Sequence, residues 1–151
     1  MRLLTKMFLA GAATLSLSLG ALADDDVDIS KLPPASTKKV DFAKNIQPLL
    51  EGACLKCHGP KKPKSKYRMD TRDAMIKGGS SKDAAIHVGK SDKSPLVFYI
   101  ADLVEEMEMP PLDKREKYPA LTKEQIGLMR GWIDQGAEWP KGVTLKFVSK
   151  K

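Results

Sequence analysis

The run Cys54-Leu55-Lys56-Cys57-His58 constrains this chain more than any other feature of its sequence. It contains both cysteines of the 151-residue chain and one of its two histidines. With both thiols in one short run, no cysteine is left for a disulfide scaffold or a four-thiolate metal site. A stable fold must therefore depend on an apolar core or on a group bound at this run.

The spacing of the run allows four kinds of chemistry. A thioredoxin-like dithiol needs a βαβ context, which the sequence lacks. A zinc site needs a fourth ligand, for which His87 is the remaining histidine. A disulfide across two residues closes a small loop and stabilises little. The C-x-x-C-H order instead lets two thiols reach the two vinyl groups of one haem. We therefore expect one covalent haem c, held through Cys54 and Cys57, with His58 as an iron ligand.

The first 23 residues have the pattern of a secretory signal peptide. Arg2 and Lys6 precede an uncharged, mostly apolar run, and Ala21-Leu22-Ala23 forms an A-x-A cleavage pattern. The apolar run is short for a membrane span. We expect cleavage after Ala23, a periplasmic or secreted product, and no stable membrane insertion.

The charge balance bears on the kind of partner. The chain has a formal charge of +7, and its 42% hydrophobic and 30% charged residues exclude wholesale disorder. Because we expect export, nucleic acid is the least favoured partner, whereas an ordinary solvated lysine surface, anionic lipid and redox partner proteins with acidic surfaces stay open. Lys56, Lys61 and Lys62 are candidates to steer such partners toward the haem edge.

Apolar periodicity predicts short helices separated by long loops. The first helix begins near Asp41, a candidate N-cap, and its apolar face leads into Cys54. Pro48 lies inside this stretch, so the helix either kinks there or begins later. A second short helix is expected from Thr71 to Lys77.

Two further helices and a tail follow. Ser94-Pro95 provides an N-cap with proline in the first turn. Thr122 and Gln125 form a capping box for the last helix, and Gly136 stands where that helix ends. Partial alternation after Pro140 favours a short strand. The apolar residues expected to shield the haem are Phe42, Ile46, Leu96, Ile100, Met129, Trp132 and Ile133.

These elements predict an all-α fold of short helices and long loops around one haem. We expect a signal peptide at residues 1–23 and a flexible leader without packed structure at 24–39. A monohaem domain spans residues 40–140, and a basic tail occupies 141–151.

A low-spin electron-transfer haem needs a second axial ligand, and methionine in that position raises the reduction potential. Met109 is the first candidate because Pro110 fixes the direction of the backbone at this point. Met107 is the second candidate, and either side chain could instead fill space beside the porphyrin. The remaining methionines after residue 23 are Met69, Met75 and Met129, of which the last lies on the apolar face of its helix.

Four other side chains each have two possible roles, and so does His87. His87 as a ligand would lower the potential, but its loop position favours an ordinary exposed histidine. Tyr67 and Arg68 either bond a haem propionate or are solvated loop residues. Trp132 and Trp139 either line the haem edge or belong to the core.

Taken together, the pattern resembles the planctomycete-type cytochrome c domain, a branch of the class I cytochrome c fold. The resemblance covers about residues 40–140, and Val88 departs from it where the family commonly has proline. The haem motif is shared by all c-type cytochromes, whereas the Met-Pro-Pro element and the C-terminal pattern are more specific. The matching residues are Ile46, Pro48-Leu49-Leu50, Cys54 to Gly59, Tyr67-Arg68-Met69-Asp70, Gly78-Gly79, Gly89-Lys90, Ser94-Pro95-Leu96, Met109-Pro110-Pro111, Leu121 through Trp132-Ile133, Gly136-Ala137 and Trp139-Pro140.

The resemblance implies a class I cytochrome c fold with His58 as proximal ligand and Met109 as distal ligand. It also implies a single-electron carrier that cycles between Fe(III) and Fe(II) and is not an enzyme. Two alternatives stay open at this point. One is a peroxidase or small-gas sensor, which requires that no methionine reach the iron. The other is a secreted binding module without haem.

Overall fold

The computed structural model describes residues 27–148, so the predicted signal peptide lies outside the described residues. This part of the chain is helical and contains no β-strand, in agreement with the all-α prediction. None of its helices combines the length and apolar character needed to cross a bilayer. Its helices are α1 over residues 42–58, α2 at Arg72–Lys77, α3 at Pro95–Ile100 and α4 at Lys123–Asp134, with 3₁₀ turns at Ile29–Lys31, Lys64–Lys66, Ser91–Lys93 and Leu112–Lys114.

Helix α1 begins where the sequence predicts, and it changes its winding around the proline. Asp41 caps it by accepting a hydrogen bond from the Lys44 N–H at 2.8 Å. The first turn, Phe42–Ile46, is π-helical and ends just before the α-helical turn Gln47–Leu49 that contains Pro48. Proline has no N–H and crowds the carbonyl four residues earlier. The wider turn relieves that conflict, so the helix does not begin later.

The second half of α1 carries the cysteine motif. A second π-helical segment, Leu50–Cys54, is followed by the α-helical turn Leu55–His58. Leu50 and Leu55 are buried in the core and hold this half of the helix in place. Segments of this kind are frequent at functional sites, because they reorient the residues that follow.

Helix α4 is the centre against which α1 and α3 pack. The predicted capping box is present: Thr122 Oγ1 accepts from the Gln125 N–H at 3.2 Å, and Gln125 Oε1 accepts from the Thr122 N–H at 2.9 Å. Gly136 follows the helix end with a φ of 106°, as predicted. The buried face of α4 includes Ile126, Met129, Trp132 and Ile133.

The predicted absence of packed structure in the leader is wrong for residues 27–39. Here the chain lies along α4, where the Ser36 N–H donates to the Gly127 carbonyl at 2.9 Å. A Cβ on Gly127 would lie 2.7 Å from the Pro34 carbonyl oxygen, and one on Gly131 would lie 2.6 Å from that of Ser36. The two glycines therefore open a groove for the leader, which composition alone does not reveal.

Helix α3 begins where it is predicted to begin, but the Ser94 side chain does not cap it. Its N-cap position is Ser94, but the Ser94 hydroxyl makes no capping bond. The hydroxyl accepts from the His87 N–H at 3.0 Å and donates to the Lys90 carbonyl at 2.9 Å. It therefore closes the preceding loop.

Helix α2 is tied to the end of α4, because Arg72 Nε donates to the Ala137 carbonyl at 2.8 Å.

The predicted strand after Pro140 is absent. Leu145 donates its N–H to the Asp70 carbonyl at 2.8 Å, and Val148 donates to the Glu51 carbonyl at 3.2 Å. The two acceptors belong to different segments, so no continuous neighbouring strand is available to form a ladder. The tail is extended chain held at separate points.

Candidate haem-attachment site

The last two segments of α1 place the cysteine motif at the end of the helix. Cys54 closes the π-helical segment, and Cys57 follows within the final turn. Both thiols are unbonded, and each cysteine is partly exposed as a residue. Leu55 between them is buried, whereas Lys56 is exposed. The two sulfur atoms are therefore carried by one short, anchored turn.

His58 is oriented by the backbone of a later segment. Its ring is buried, with 9% of the residue exposed, and Nδ1 lies 3.1 Å from the Tyr67 carbonyl oxygen. A carbonyl only accepts, so Nδ1 carries the proton and the Nε2 lone pair is left for another partner. A histidine whose second ring nitrogen donates to a carbonyl is the usual arrangement at metal sites.

Burial lowers the pKa of His58, and the backbone groups of Tyr67 and Lys64 oppose this only in part. The ring is therefore favoured in its neutral form, which is the form that binds a metal.

A second hydrogen bond joins His58 to the same segment. The Met69 N–H donates to the His58 carbonyl oxygen at 2.8 Å. The ring centroids of His58 and Tyr67 are 5.2 Å apart. These two backbone partners could not be predicted from the sequence, because every residue has a carbonyl and almost every residue has an amide N–H.

Tyr67 and Arg68, the candidates for a haem propionate, form bonds within the protein. The Tyr67 hydroxyl donates to the Met75 carbonyl at 2.9 Å. Arg68 donates to both carboxylate oxygens of Asp70, from Nε at 2.9 Å and from Nη2 at 2.7 Å. Asp70 is almost fully buried, so the Arg68 pair supplies the partner that its carboxylate needs.

The Cys54 thiol does not have the electrostatics of a redox-active dithiol. Burial, with a smaller contribution from Cys57, raises the pKa of Cys54 to about 12. Reactive dithiol pairs have a lowered thiol pKa instead. This difference disfavours the thioredoxin-like alternative.

The zinc alternative also lacks support in the described part of the chain. Residues 27–148 contain no group of three or more His, Cys, Asp or Glu side chains arranged to hold a metal ion. His87, the proposed extra ligand, is exposed on its loop. The expectation of an ordinary exposed histidine agrees with this position.

The methionines differ sharply in burial. Met69, Met75 and Met129 are at most 1% exposed, and Met107 is 41% exposed. Of the methionines in the described residues, Met109 is the one that is partly buried and packed at the edge of the core. Its N–H donates to the Tyr99 carbonyl at 2.9 Å, next to the end of α3. An axial ligand must be held in place and still be reachable, which favours Met109.

The tryptophans belong to an aromatic cluster with Phe42. The ring centroid of Phe42 lies 4.4 Å from that of Trp139 and 6.2 Å from that of Trp132. The Trp132 indole N–H donates to the Glu138 carbonyl at 2.7 Å. A cavity of about 310 Å³ lies beside this cluster, lined by residues 39–43 and 138–140. Neither the cysteines nor His58 line this cavity. The cluster therefore supports a core role for the two tryptophans over a position at the haem edge.

The donor set fits a covalently attached haem. Two unbonded thiols share one turn with a histidine whose Nε2 is free, and a partly buried thioether lies on a later loop. Partly buried apolar side chains at the edge of the core are numerous, as expected for a fold that packs on a large apolar group. They include Tyr67, Ile76, Phe98, Ala101, Leu103, Leu121, Leu128 and Val143.

Comparison with known families bears directly on this site. Residues 54–113 match the family model described as Planctomycete cytochrome C. This segment of the chain is therefore similar to that cytochrome c family. The match begins at Cys54 and extends beyond Met109, so it contains every residue predicted to bind haem. It confirms the resemblance and indicates a haem-containing c-type cytochrome with an electron-transfer role.

The match ends before α4, so the C-terminal part of the resemblance lies outside the matched residues. No curated protein and no solved structure matches the chain.

Proposed function

We propose that this chain is an exported monohaem c-type cytochrome that carries single electrons. Cys54 and Cys57 would attach the haem through thioether links, and His58 and Met109 would ligate its iron. The bound haem supplies reversible one-electron exchange between Fe(III) and Fe(II). One observation carries the proposal: His58 donates from Nδ1 to the Tyr67 carbonyl and leaves Nε2 free, within the turn that holds both thiols.

The number of haems follows from the cysteine count. The chain has 2 cysteines, and both belong to one C-x-x-C-H run. Attachment through two thioethers uses both of them, so a second haem of this kind has no thiols to bind. We therefore expect one haem per chain.

The surrounding residues favour a carrier over an enzyme with an open iron. The Tyr67 carbonyl orients His58, and burial of the ring keeps water away from it. Met109 is held to Tyr99 through its backbone N–H, at the edge of the core. With both His58 and Met109 bound to the iron, no ligand position would be open to peroxide or a small gas.

The surface next to the motif favours an acidic redox partner. We call Lys61, Lys62, Lys64 and Lys66 the basic loop; all four are exposed, and no acidic residue occurs between positions 52 and 69. Lys56 adds a fifth exposed lysine within the motif itself. A concentrated positive field of this kind accelerates encounters with acidic proteins.

The deciding experiment is a measurement of covalent haem. We expect the chain, expressed with its own N-terminus in a bacterium that matures c-type cytochromes, to retain haem on a denaturing gel. A pyridine haemochrome assay should give one haem per chain. Replacing both Cys54 and Cys57 with serine should abolish covalent retention, with Ser94→Ala as a control outside the motif. An unaltered chain without covalent haem would refute the proposal and support a haem-free binding module.

A further inference from the structure

The C-terminal tail, defined here as residues 143–148, has one buried residue, Leu145; Val143 is partly buried, and the other four residues are exposed. Leu145 is 1% exposed and belongs to the hydrophobic core, whereas Phe147 and Val148 are 38% and 54% exposed. Gly142 precedes the tail with a φ of 78°, in the left-handed region that glycine adopts readily. The backbone thus turns sharply and then places a single leucine inside the protein.

The tail contacts the helix that carries the haem motif. The Val148 N–H donates to the Glu51 carbonyl at 3.2 Å. The Lys56 ammonium lies 5.2 Å from the centroid of the Phe147 ring, within the range of a cation–π interaction. Both partners belong to the half of α1 that bears the two cysteines.

The tail also contacts the segment that orients His58. The Leu145 N–H donates to the Asp70 carbonyl at 2.8 Å. Asp70 ends the segment of residues 67–70, which bonds His58 through the Tyr67 carbonyl and the Met69 N–H. The tail therefore ties this segment to α1.

The direct covalent connection between these two parts supplies no buried side chain. Residues 59–66 join His58 to Tyr67; Gly59, which has no side chain, is buried, and residues 60–66 are not. Lys62, Ser65 and Lys66 in this connection have positive φ values, typical of a surface turn. The relative position of His58 and Tyr67 must therefore be maintained by contacts from elsewhere in the fold.

We propose that Leu145 is a positioning residue for His58, and that the tail acts as a strap between α1 and residues 67–70. This inference rests on the proposed haem-binding role of His58 and deepens it. The Nδ1–H to carbonyl bond raises the basicity of a ligating imidazole. A more basic ligand favours Fe(III), so a tighter strap lowers the reduction potential and a looser strap raises it.

The test compares two leucine-to-alanine variants of the holoprotein. Leu145→Ala removes the anchor of the strap. Leu32→Ala is the matched control, because Leu32 is also buried but lies in the N-terminal segment, outside α1 and residues 67–70. Hydrogen exchange at the Met69 amide should accelerate by about tenfold or more in Leu145→Ala, relative to amides of α4. In Leu32→Ala the exchange at Met69 should change no more than that of α4.

The reduction potential is the second measurement, because it would not change if Leu145 had only a structural role. It should rise in Leu145→Ala and stay at the unaltered value in Leu32→Ala, even where both variants have lower melting temperatures. Leu145→Met conserves the buried volume and should restore both the exchange rate and the potential. Equal effects of Leu145→Ala and Leu32→Ala on exchange and potential would overturn the proposal.

Two further cases have to be covered: a variant that does not fold, and an unaltered chain that lacks covalent haem. If Leu145→Ala does not fold, Leu145→Val and Leu32→Val make smaller cavities and replace the first pair, with the same expected and contradicting outcomes. If the unaltered chain lacks covalent haem, the proposed function fails. The exchange comparison at Met69 would still decide whether the tail holds residues 67–70, so the two failures are distinguishable.

Discussion

His58 is buried against Tyr67, and a single hydrogen bond at Nδ1 decides which ring nitrogen faces a metal. The bond partner is a backbone carbonyl, so the identity of the side chain at position 67 does not supply it. The Tyr67 hydroxyl contributes indirectly, because it donates to the Met75 carbonyl and fixes the segment. At the scale of single residues, the site is therefore a set of side chains proposed to bind haem and held by backbone groups.

The distal ligand is tested by replacing each candidate methionine in turn. We expect Met109→Leu to lose the methionine–iron charge-transfer band of the ferric protein, because leucine keeps the side-chain bulk but has no thioether. Met107→Leu is the matched control, since Met107 is 41% exposed, and it should keep the band. Absorption spectroscopy of the oxidised proteins makes the comparison. Retention of the band in Met109→Leu, or its loss in Met107→Leu, would reassign the ligand.

An open iron has a different spectral signature in the unaltered protein. A high-spin ferric spectrum that shifts readily with cyanide, together with ready binding of carbon monoxide by the reduced protein, would support a peroxidase or gas sensor. We expect a low-spin spectrum with slow or weak binding of both ligands, because Met109 is the proposed second ligand of the iron.

At the scale of elements, helix α4 organises the fold through a polar cap at its N-terminus and two glycines where the backbone of the leader lies close to it. The capping box begins the helix, and Gly127 and Gly131 let residues 34–36 lie directly on it. Helix α1 adapts to Pro48 by widening its first turn, and a second wide segment leads into Cys54. Helix winding and close packing therefore place the haem motif beside the core.

Gly131→Ala tests the close approach. Alanine has the higher helix propensity, yet we expect a loss of about 1–3 kcal/mol in unfolding free energy, the usual cost of overpacking. The added Cβ would lie 2.6 Å from the Ser36 carbonyl oxygen and 2.9 Å from the Ser36 Cβ. Urea denaturation gives the free energies, with the exposed Glu124→Ala as the control on the same helix. A Gly131→Ala variant at least as stable as the unaltered protein would show that the leader does not pack there.

Thr122→Ala tests the start of the same helix. We expect a loss of about 1 kcal/mol, because the Gln125 N–H loses its acceptor. Thr122→Ser keeps the hydroxyl and should retain most of the stability. Thermal or urea unfolding followed by circular dichroism measures both. Equal stability of the alanine and serine variants would contradict the role of the cap.

At the scale of the whole molecule, charge is distributed unevenly around the haem motif. The basic loop is exposed and follows the motif directly, whereas Glu105, Glu106 and Glu108 lie on the segment that leads to Met109. For encounters with a partner, the local positive field beside His58 therefore matters more than the formal net charge of +7. A redox partner with an acidic face meets that field first.

Ionic strength tests this steering. We expect electron transfer with an acidic redox protein to slow as salt is raised, because exposed charges are screened within about 10 Å at 0.1 M ionic strength. Lys62→Glu should slow transfer at low salt and flatten the salt dependence. Lys90→Glu, the same charge change on a different exposed loop, should have the smaller effect. Stopped-flow kinetics measure the rates, and salt-independent rates in the unaltered protein would contradict the steering.

The sequence by itself determined the features that depend on local chemistry. The haem motif, the capping box at Thr122, the N-cap at Asp41 and the glycine at the end of α4 each act through residues a few positions apart. Their geometry follows from residue type and spacing, so they are readable before any fold is known. The family match over residues 54–113 supports the same reading of the motif.

The tertiary structure alone decided the features that join distant positions. The leader lies on the glycines of α4, the tail bonds to Asp70 and Glu51, and the Tyr67 carbonyl selects the tautomer of His58. The first two were mispredicted as a flexible leader and a short strand. Such contacts use backbone carbonyls and amides, which every residue has, and they form only when packing brings remote segments together. Local sequence therefore specified the groups proposed to bind haem, and long-range packing specified how those groups are held.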